Sequence, residues 1–238
     1  MTRRRITWAI IPLRGLETAK TRLGPALDAE ERLELVIEMA TRTLVATRDA
    51  AAISGTVLVT ADPAAADLAR TLGAVTLVQR LPGLNAALRE ARAEAVRRGA
   101  TATIVVPIDL PAVDARALDA LLLAIAGIGS DAAPTVGIVP DRHGLGTNIL
   151  YPSPPEVIDP QFGEGSLAAH RLSATASGAH LIELGGPLVL DVDTGDDLLV
   201  ADGGTDPARN AGAGVRGSSA SAVRGGSPAG DRGTIDAA

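Results

Sequence analysis

The chain has 238 residues, 46% of them apolar, and no cysteine. That suffices for one sizeable α/β domain, or a domain with a tail, and it excludes disulfide frameworks, thiolate metal sites and cysteine nucleophiles. The net charge of −6 leaves no basic footprint for a duplex, and the three aromatic residues, Trp8, Tyr151 and Phe162, give no stacking platform for single-stranded nucleic acid.

Arg3, Arg4 and Arg5 precede an apolar run, Ile6 to Leu13, that Pro12 interrupts and that is shorter than the roughly 18 residues of a membrane span. It is expected to be a first core strand, Thr7–Pro12, of a cytoplasmic protein with no membrane association. A long helix is expected from Asp28 to Arg48, with Asp28 and Glu31 as a capping box and Leu33, Val36, Ile37, Ala40 and Leu44 along its inner face. Strands follow at Gly55–Thr60, Val75–Gln79 and Thr103–Ile108, separated by helices at Pro63–Leu72 and Leu84–Arg98. The Thr103–Ile108 run has no polar side and reads as central in a parallel sheet. A helix at Asp114–Ile125 leads to strands at Val136–Val139 and Asn148–Tyr151, the second read as antiparallel. A helix at Ser166–Ala174, strands at His180–Leu184 and Val189–Val192, and a closing helix at Thr194–Val200 complete the domain. From Gly203 to Ala238 the chain is Gly, Ala, Ser, Arg and Asp with almost no large apolar residues, so the expectation is one folded domain over residues 1–202 and a disordered tail over 203–238. The alternation of strands and helices predicts an α/β fold with a mostly parallel central sheet flanked by helices, its ligands beyond the carboxyl ends of the strands.

Polar residues at those ends are the candidates for chemistry. The loop after the first strand carries three cations, Arg14, Lys20 and Arg22. Lys20 is the one lysine among 22 basic residues, a compact point charge suited to a phosphate where arginine is a planar fork. Three cations around one turn fit a polyphosphate; a solvated loop with Arg–Glu pairs is the alternative. Asp109 ends an apolar strand between Pro107 and Pro111, as a turn cap or as a ligand for a hard cation such as magnesium. Asp191 and Asp193, two apart on an expected strand, point the same way and suit a shared cation, while Thr194 and Asp197 resemble a helix start. Gly163, Gly165 and Ser166 open a helix whose backbone amides suit an anion, with an ordinary capped helix as the alternative, and His170 lies one turn along the same face. The glycine-rich turn from His143 to Asn148 brings Thr147 beside them. Gly83 and Asn85 begin another helix, where Asn85 either caps or reads a base edge.

Taken in order, P-L-R, A-K-T-R-L, G-L-N, V-P-I-D-L-P, G-L-G-T-N, F-G-E-G-S and D-V-D-T-G-D-D-L resemble the guanylyltransferases of coenzyme F420 biosynthesis, the phosphoenolpyruvate and 2-phospho-L-lactate guanylyltransferase family, over roughly residues 7 to 200. The resemblance implies a single nucleotidyltransferase domain of the glycosyltransferase-A type, GTP as donor and magnesium as cofactor. It implies that Thr147, Gly163 and Ser166 hold the phosphoenolpyruvate-like acceptor. Asp109 matches the superfamily's metal ligand, and Asp191 and Asp193 match its carboxy-terminal acidic pair. The glycine-rich G-G-x-S-x-R-M start of the wider superfamily is replaced by the P-L-R and A-K-T-R-L version, which argues against a sugar-nucleotide or molybdopterin enzyme. The expected reaction is guanylyl transfer from GTP to phosphoenolpyruvate, with Lys20, Arg14 and Arg22 on the triphosphate, Gly83 and Asn85 on the nucleotide, and Lys20 and Asp109 as catalytic groups. The rival expectations are 2-phospho-L-lactate or another phosphorylated acceptor, and a non-catalytic nucleotide-binding module.

Overall fold

A computed structural model of the chain describes residues 5–129, 133–193, 197 and 216–217. The strands are β1 Thr7–Pro12, β2 Ile53–Thr60, β3 Val75–Val78, β4 Ala102–Val105, β5 Thr135–Pro140, β6 Thr147–Ser153, β7 His180–Glu183 and β8 Arg216–Gly217. The helices are α1 Ala29–Asp49, α2 Pro63–Thr71, α3 Leu84–Arg97, α4 Ala115–Ile128 and α5 Ser166–Ala176, and two single 3-10 turns occupy Thr21–Leu23 and Pro187–Val189. Among the described residues no helix is long and apolar enough to cross a membrane.

The strands form one sheet in the order β3-β2-β1-β4-β6-β5-β7-β8. The pairs β1–β2, β1–β4, β2–β3 and β5–β7 are parallel. β6 runs antiparallel to both of its neighbours, with Val105 opposite Leu150 and Ile138 opposite Leu150 on the other side. This reversal positions the site: the first residues of β6 come to lie beside the last residues of β4 and β5.

The period of two along each strand sorts its side chains to opposite faces. Ala9 and Ile11 of β1 join the cores packed by α1, α2 and α4, where Met39, Leu44, Ala69, Leu118 and Ile125 are buried. Ile10 faces the other way, toward Leu88 and Ala91 of α3 and Leu167 of α5. The architecture is thus a sheet between two helical layers, as the alternating elements predict.

Local signals explain most boundaries. Asp28 accepts from the amides of Glu30 and Glu31, and Glu31 accepts from the Asp28 amide, each at 2.9 Å, so the capping box of α1 is complete. Its inner stripe is turned from the expected one: Met39 and Thr43 are buried with Val36, Ala40 and Leu44, whereas Ile37 is exposed. Asp62 accepts from the Ala64 amide and Asp114 from the Ala117 amide, as simple caps of α2 and α4. The β4 ladder stops at Val105, short of the expected Ile108, after one more backbone bond from Val106 to Ile10. Pro107 has no N–H with which to continue it.

The expected strand Val189–Val192 does not form. Gly186 and Pro187 start a 3-10 turn, the Asn148 side chain donates to the Leu188 carbonyl at 3.1 Å, and the Val192 amide donates to the Asp109 carbonyl at 2.9 Å. The segment therefore crosses the carboxyl ends of the strands instead of lying alongside one. The expected closing helix Thr194–Val200 falls, apart from Asp197, outside the described residues. Of the expected tail 203–238, only Arg216 and Gly217 are described, paired antiparallel with β7.

Candidate active site

Strand order reverses direction at β1, with β2 on one side and β4 on the other, and the crevice beyond such a switch point is where open α/β sheets bind ligands. Here a cavity of about 260 Å³ opens there. Pro12, Val105, Pro107 and Asp109 reach it from β1 and β4, Thr147 and Asn148 from β6, and Phe162, Gly163 and Ser166 from the start of α5. Asp191 and Asp193 close it from the carboxy-terminal segment.

Asp109, Asp191 and Asp193 make part of the lining acidic, and Lys20 pairs with two of them. Lys20 Nζ donates to Asp109 Oδ2 at 2.6 Å and to Asp193 Oδ1 at 2.5 Å. Its side chain is only 9% exposed. Burial by itself lowers the lysine pKa, but the Asp109 and Asp193 carboxylates more than offset this and hold it above its ordinary value. Lys20 also carries φ +55°, in the left-handed region, at the start of the Thr21–Leu23 turn. Among the described residues it is the one non-glycine residue so placed, and such a backbone costs on the order of 1–3 kcal/mol unless its surroundings hold it. The double ion pair is what holds it.

Asp191 sits beside this pair. Burial pushes its carboxyl pKa up, and repulsion from Asp109 and Asp193 adds to the effect. The Asn148 amide donates to the Leu188 carbonyl, so it ties β6 to the acidic segment. Asp197 accepts from the Asp193 amide at 2.9 Å and pairs with Arg142. The segment is not a strand, yet Asp191 and Asp193 both face the cavity, because the Val192–Asp109 bond between them fixes the chain against the β4 end.

Two carboxylates that converge on one cationic point are the donor set a hard divalent ion takes, two oxygens with the rest left for substrate and water. Asp109 and Asp193 fit this; Asp191 adds charge beside them.

The lining also carries two hydroxyl residues, Thr147 and Ser166. The Thr147 amide donates to Ser166 Oγ at 3.0 Å, and Thr147 Oγ1 lies 3.0 Å from His170 Nδ1. His170 is fully buried, and burial lowers its pKa from 6.5 to about 4. The turn before Thr147 is held by Asp141, which accepts from the amides of Leu145 and Gly146 at 2.9 Å each. Gly163 and Gly165 adopt φ +126° and +69°, which lets the backbone turn into α5. The expected set of open helix amides is revised: the Ser166 amide is taken by Gly163 O and the Leu167 amide by Leu145 O. The hydroxyl residues Thr147 and Ser166 remain in the cavity lining.

The other expected nucleotide contacts do not gather here. Arg14 is exposed and lines a separate cavity of about 590 Å³ with Glu17, Leu33, Ile37 and Asp62. Arg22 is exposed on the Thr21–Leu23 turn. Of the three cations, Lys20 is the one that reaches the acids. Gly83, at φ +96°, begins α3 on the exposed surface. Asn85 neither caps that helix nor presents a free amide: it donates to Phe162 O at 2.9 Å and accepts from Phe162 N at 2.8 Å. It holds the loop that leads to Gly163.

Asn148, Asp141 and Asp62 are contributors that sequence reasoning did not single out. Asp62 accepts from the Leu16 amide at 2.8 Å and so anchors the loop that carries Lys20. The G-L-G-T-N motif offered a signal for Asn148; nothing local to Asp62 or Asp141 signals a partner elsewhere.

The family model described as "Guanylyl transferase CofC like" matches residues 7–205. The phosphoenolpyruvate guanylyltransferase of Sphaerobacter thermophilus is 39% identical over 193 residues, covering 81% of this chain and 90% of that protein. In fold, the chain is similar to a protein assigned as a nucleotide-diphospho-sugar transferase from Desulfovibrio desulfuricans G20, with TM-score 0.62, 16% identity, and 86% and 91% of the two chains covered. It is also similar to Rv0371c of Mycobacterium tuberculosis H37Rv in its manganese complex, with TM-score 0.52, 20% identity, and 83% and 97% covered. Matched along nearly its whole described length, this nucleotidyltransferase-like chain belongs to the CofC-like guanylyl transferase family.

Proposed function

We propose that the protein transfers GMP from GTP to phosphoenolpyruvate, giving enolpyruvyl-diphospho-5′-guanosine and pyrophosphate, the guanylylation step of coenzyme F420 synthesis. The observation that carries this reading is that one cavity is lined both by Asp109 and Asp193, the two carboxylates that pair with Lys20, and by Thr147 and Ser166. Such a cavity suits two phosphate-bearing substrates held face to face. Family membership and the name of the Sphaerobacter relative support the substrate pair.

In the reaction an oxygen of the acceptor phosphate attacks the α-phosphorus of GTP. The new P–O bond forms as the bond to the β-phosphate bridging oxygen breaks, and pyrophosphate leaves with that electron pair. A phosphate monoester is already ionised at neutral pH, so no side chain has to remove a proton. The chain's task is positioning and charge neutralisation. Asp109 and Asp193 would hold a magnesium ion, with Asp191 adding negative charge beside them; when bound, the ion neutralises charge on the phosphate oxygens. Lys20, no longer paired with both acids, would then hold the triphosphate and the departing pyrophosphate. Thr147, Gly163 and Ser166 would hold the acceptor. Arg14 and Arg22, both exposed on the segment that follows β1, and Gly83 at the start of α3 are assigned to outer parts of the nucleotide.

The test is pyrophosphate release with GTP and magnesium, run with phosphoenolpyruvate and with 2-phospho-L-lactate, the product checked by mass. Release with phosphoenolpyruvate is expected. Release only with 2-phospho-L-lactate would reverse the acceptor assignment and keep the chemistry. GTP binding without turnover on any phosphorylated three-carbon acid would overturn the enzymatic reading in favour of a nucleotide-binding module.

A further inference from the structure

His170 lies outside the cavity lining and takes no part in the transfer itself, yet it is fully buried directly behind Thr147. Both of its ring nitrogens have partners. The Gln161 backbone N–H donates to Nε2 at 2.9 Å. A backbone amide can only donate, so Nε2 must be the bare, accepting nitrogen. The ring's proton therefore sits on Nδ1, 3.0 Å from Thr147 Oγ1. Given that donor, the threonine oxygen accepts from His170, and its own proton is left for a partner elsewhere. Thr147 lines the cavity beside Ser166, whose oxygen already accepts the Thr147 amide and whose proton is likewise left to donate.

The surroundings enforce this state. The Phe162 ring meets the imidazole edge-on, with centroids 5.1 Å apart and an interplanar angle of 72°. Gln161 is itself tied to α5 through Ser173. The partners facing the ring from β6, from the 161–162 loop and from α5 itself are all uncharged, so burial alone keeps the imidazole neutral. A protonated ring would lose the Gln161 bond, because both nitrogens would then be donors.

We propose that His170 is a positioning residue for the acceptor: its Nδ1–H fixes Thr147 Oγ1 as an acceptor on the protein side, so that the threonine and Ser166 hydroxyls present two protons to an anionic group in the cavity. This rests on the assignment of Thr147 and Ser166 to the acceptor.

Two measurements test it. Nitrogen-15 spectra of the imidazole in the full-length wild-type protein should show the Nδ1–H tautomer of His170, unchanged from pH 8 to pH 6. The Nε2–H tautomer or an imidazolium would overturn the proposal whatever the kinetics. Steady-state kinetics of His170→Gln, His170→Asn, Thr147→Ala and the Thr147→Ala/His170→Gln pair supply the second. Glutamine can accept from Gln161 but places no donor at the Nδ1 position, so the KM for the acceptor should rise about tenfold with kcat and the KM for GTP nearly unchanged. Asparagine places its amide nitrogen near Nδ1 and should restore the acceptor KM to within about threefold of wild type. The double variant should match Thr147→Ala alone, because His170 acts through that hydroxyl. An unmoved acceptor KM in His170→Gln, or additive effects in the double variant, would overturn the proposal. If wild-type protein turned over no phosphorylated acid at all, the functional reading itself would fall, an outcome distinct from normal wild-type turnover with an indifferent His170.

Discussion

Lys20 combines a left-handed backbone with a buried ammonium held by two carboxylates. Each feature is costly alone, and together they place one cation on the two carboxylates that line the cavity. Replacing it, as in Lys20→Met, should lower kcat at least ~100-fold, the usual cost of removing one charge-stabilising donor from a reaction centre. Circular dichroism in magnesium should be unchanged; kinetics like wild type would remove Lys20 from the site. His170 carries a different consequence at the same scale. Its folded pKa of about 4 lies below the ordinary 6.5, so the unfolded chain binds a proton first as pH falls. Stability should be complete above about pH 6.5 and decline toward pH 4, by about 3 kcal/mol in total from this group. Urea midpoints measured from pH 7.5 to 4.5 should show this slope in wild type and a shallower one in His170→Asn. Parallel profiles would show that the imidazole is not held neutral.

At the scale of elements, α3 is the clamp for the segment between β6 and α5. Asn85 holds both backbone groups of Phe162, and Arg92 donates to Ile158 O at 3.0 Å and to Asp159 at 2.7 Å. The loop that presents Gly163 and Ser166 is thus fastened at two points to a helix on the same face of the sheet. Asn85→Ala leaves the Phe162 amide and carbonyl without their partner, at a cost of about 1–3 kcal/mol. Thermal midpoint should fall, and the KM for the acceptor should rise more than that for GTP. The reverse order would mean that Asn85 contacts the nucleotide. The start of α1 depends on nothing distant: Asp28 and Glu31 cap it from within four residues, which is why that boundary was legible in advance.

Across the whole molecule, the reversal of β6 does most to assemble the site, since it sets Thr147 and Asn148 against the ends of β4 and β5. The last described strand, β8, pairs only two residues with the far edge of the sheet, at Ile182 and Glu183 of β7. That edge is remote in strand order from β1 and β4, which carry the acidic wall. Ending the chain at Asp202 should therefore leave turnover unchanged and shift the thermal midpoint by no more than about 2 °C, roughly 0.5–1 kcal/mol in a domain of this size. A larger loss in either measurement would show that residues beyond 202 support the fold or the site.

What the sequence by itself determined is what short-range physics controls. Apolar runs, helix caps and proline breaks located β1, α1, α2, α4 and α5 within a few residues, and the ordered motifs singled out Lys20, Asp109, Thr147, Gly163, Ser166 and the Asp191–Asp193 pair. Only the tertiary structure decided which of these meet. Lys20 and Asp193 are 173 positions apart, and no local pattern states that their side chains touch. The expected strand at Val189–Val192 became a crossing segment because Asn148 and Asp109, both distant in sequence, took its backbone groups. Arg14 and Lys20 are six residues apart in one loop, yet Arg14 lines a cavity away from the acids while Lys20 pairs with Asp109, because a loop's side chains follow the contacts that fold it and not a fixed period. Asn85 shows the same limit in reverse: its place at a helix start was plain, while its partner, Phe162, lay 77 residues away.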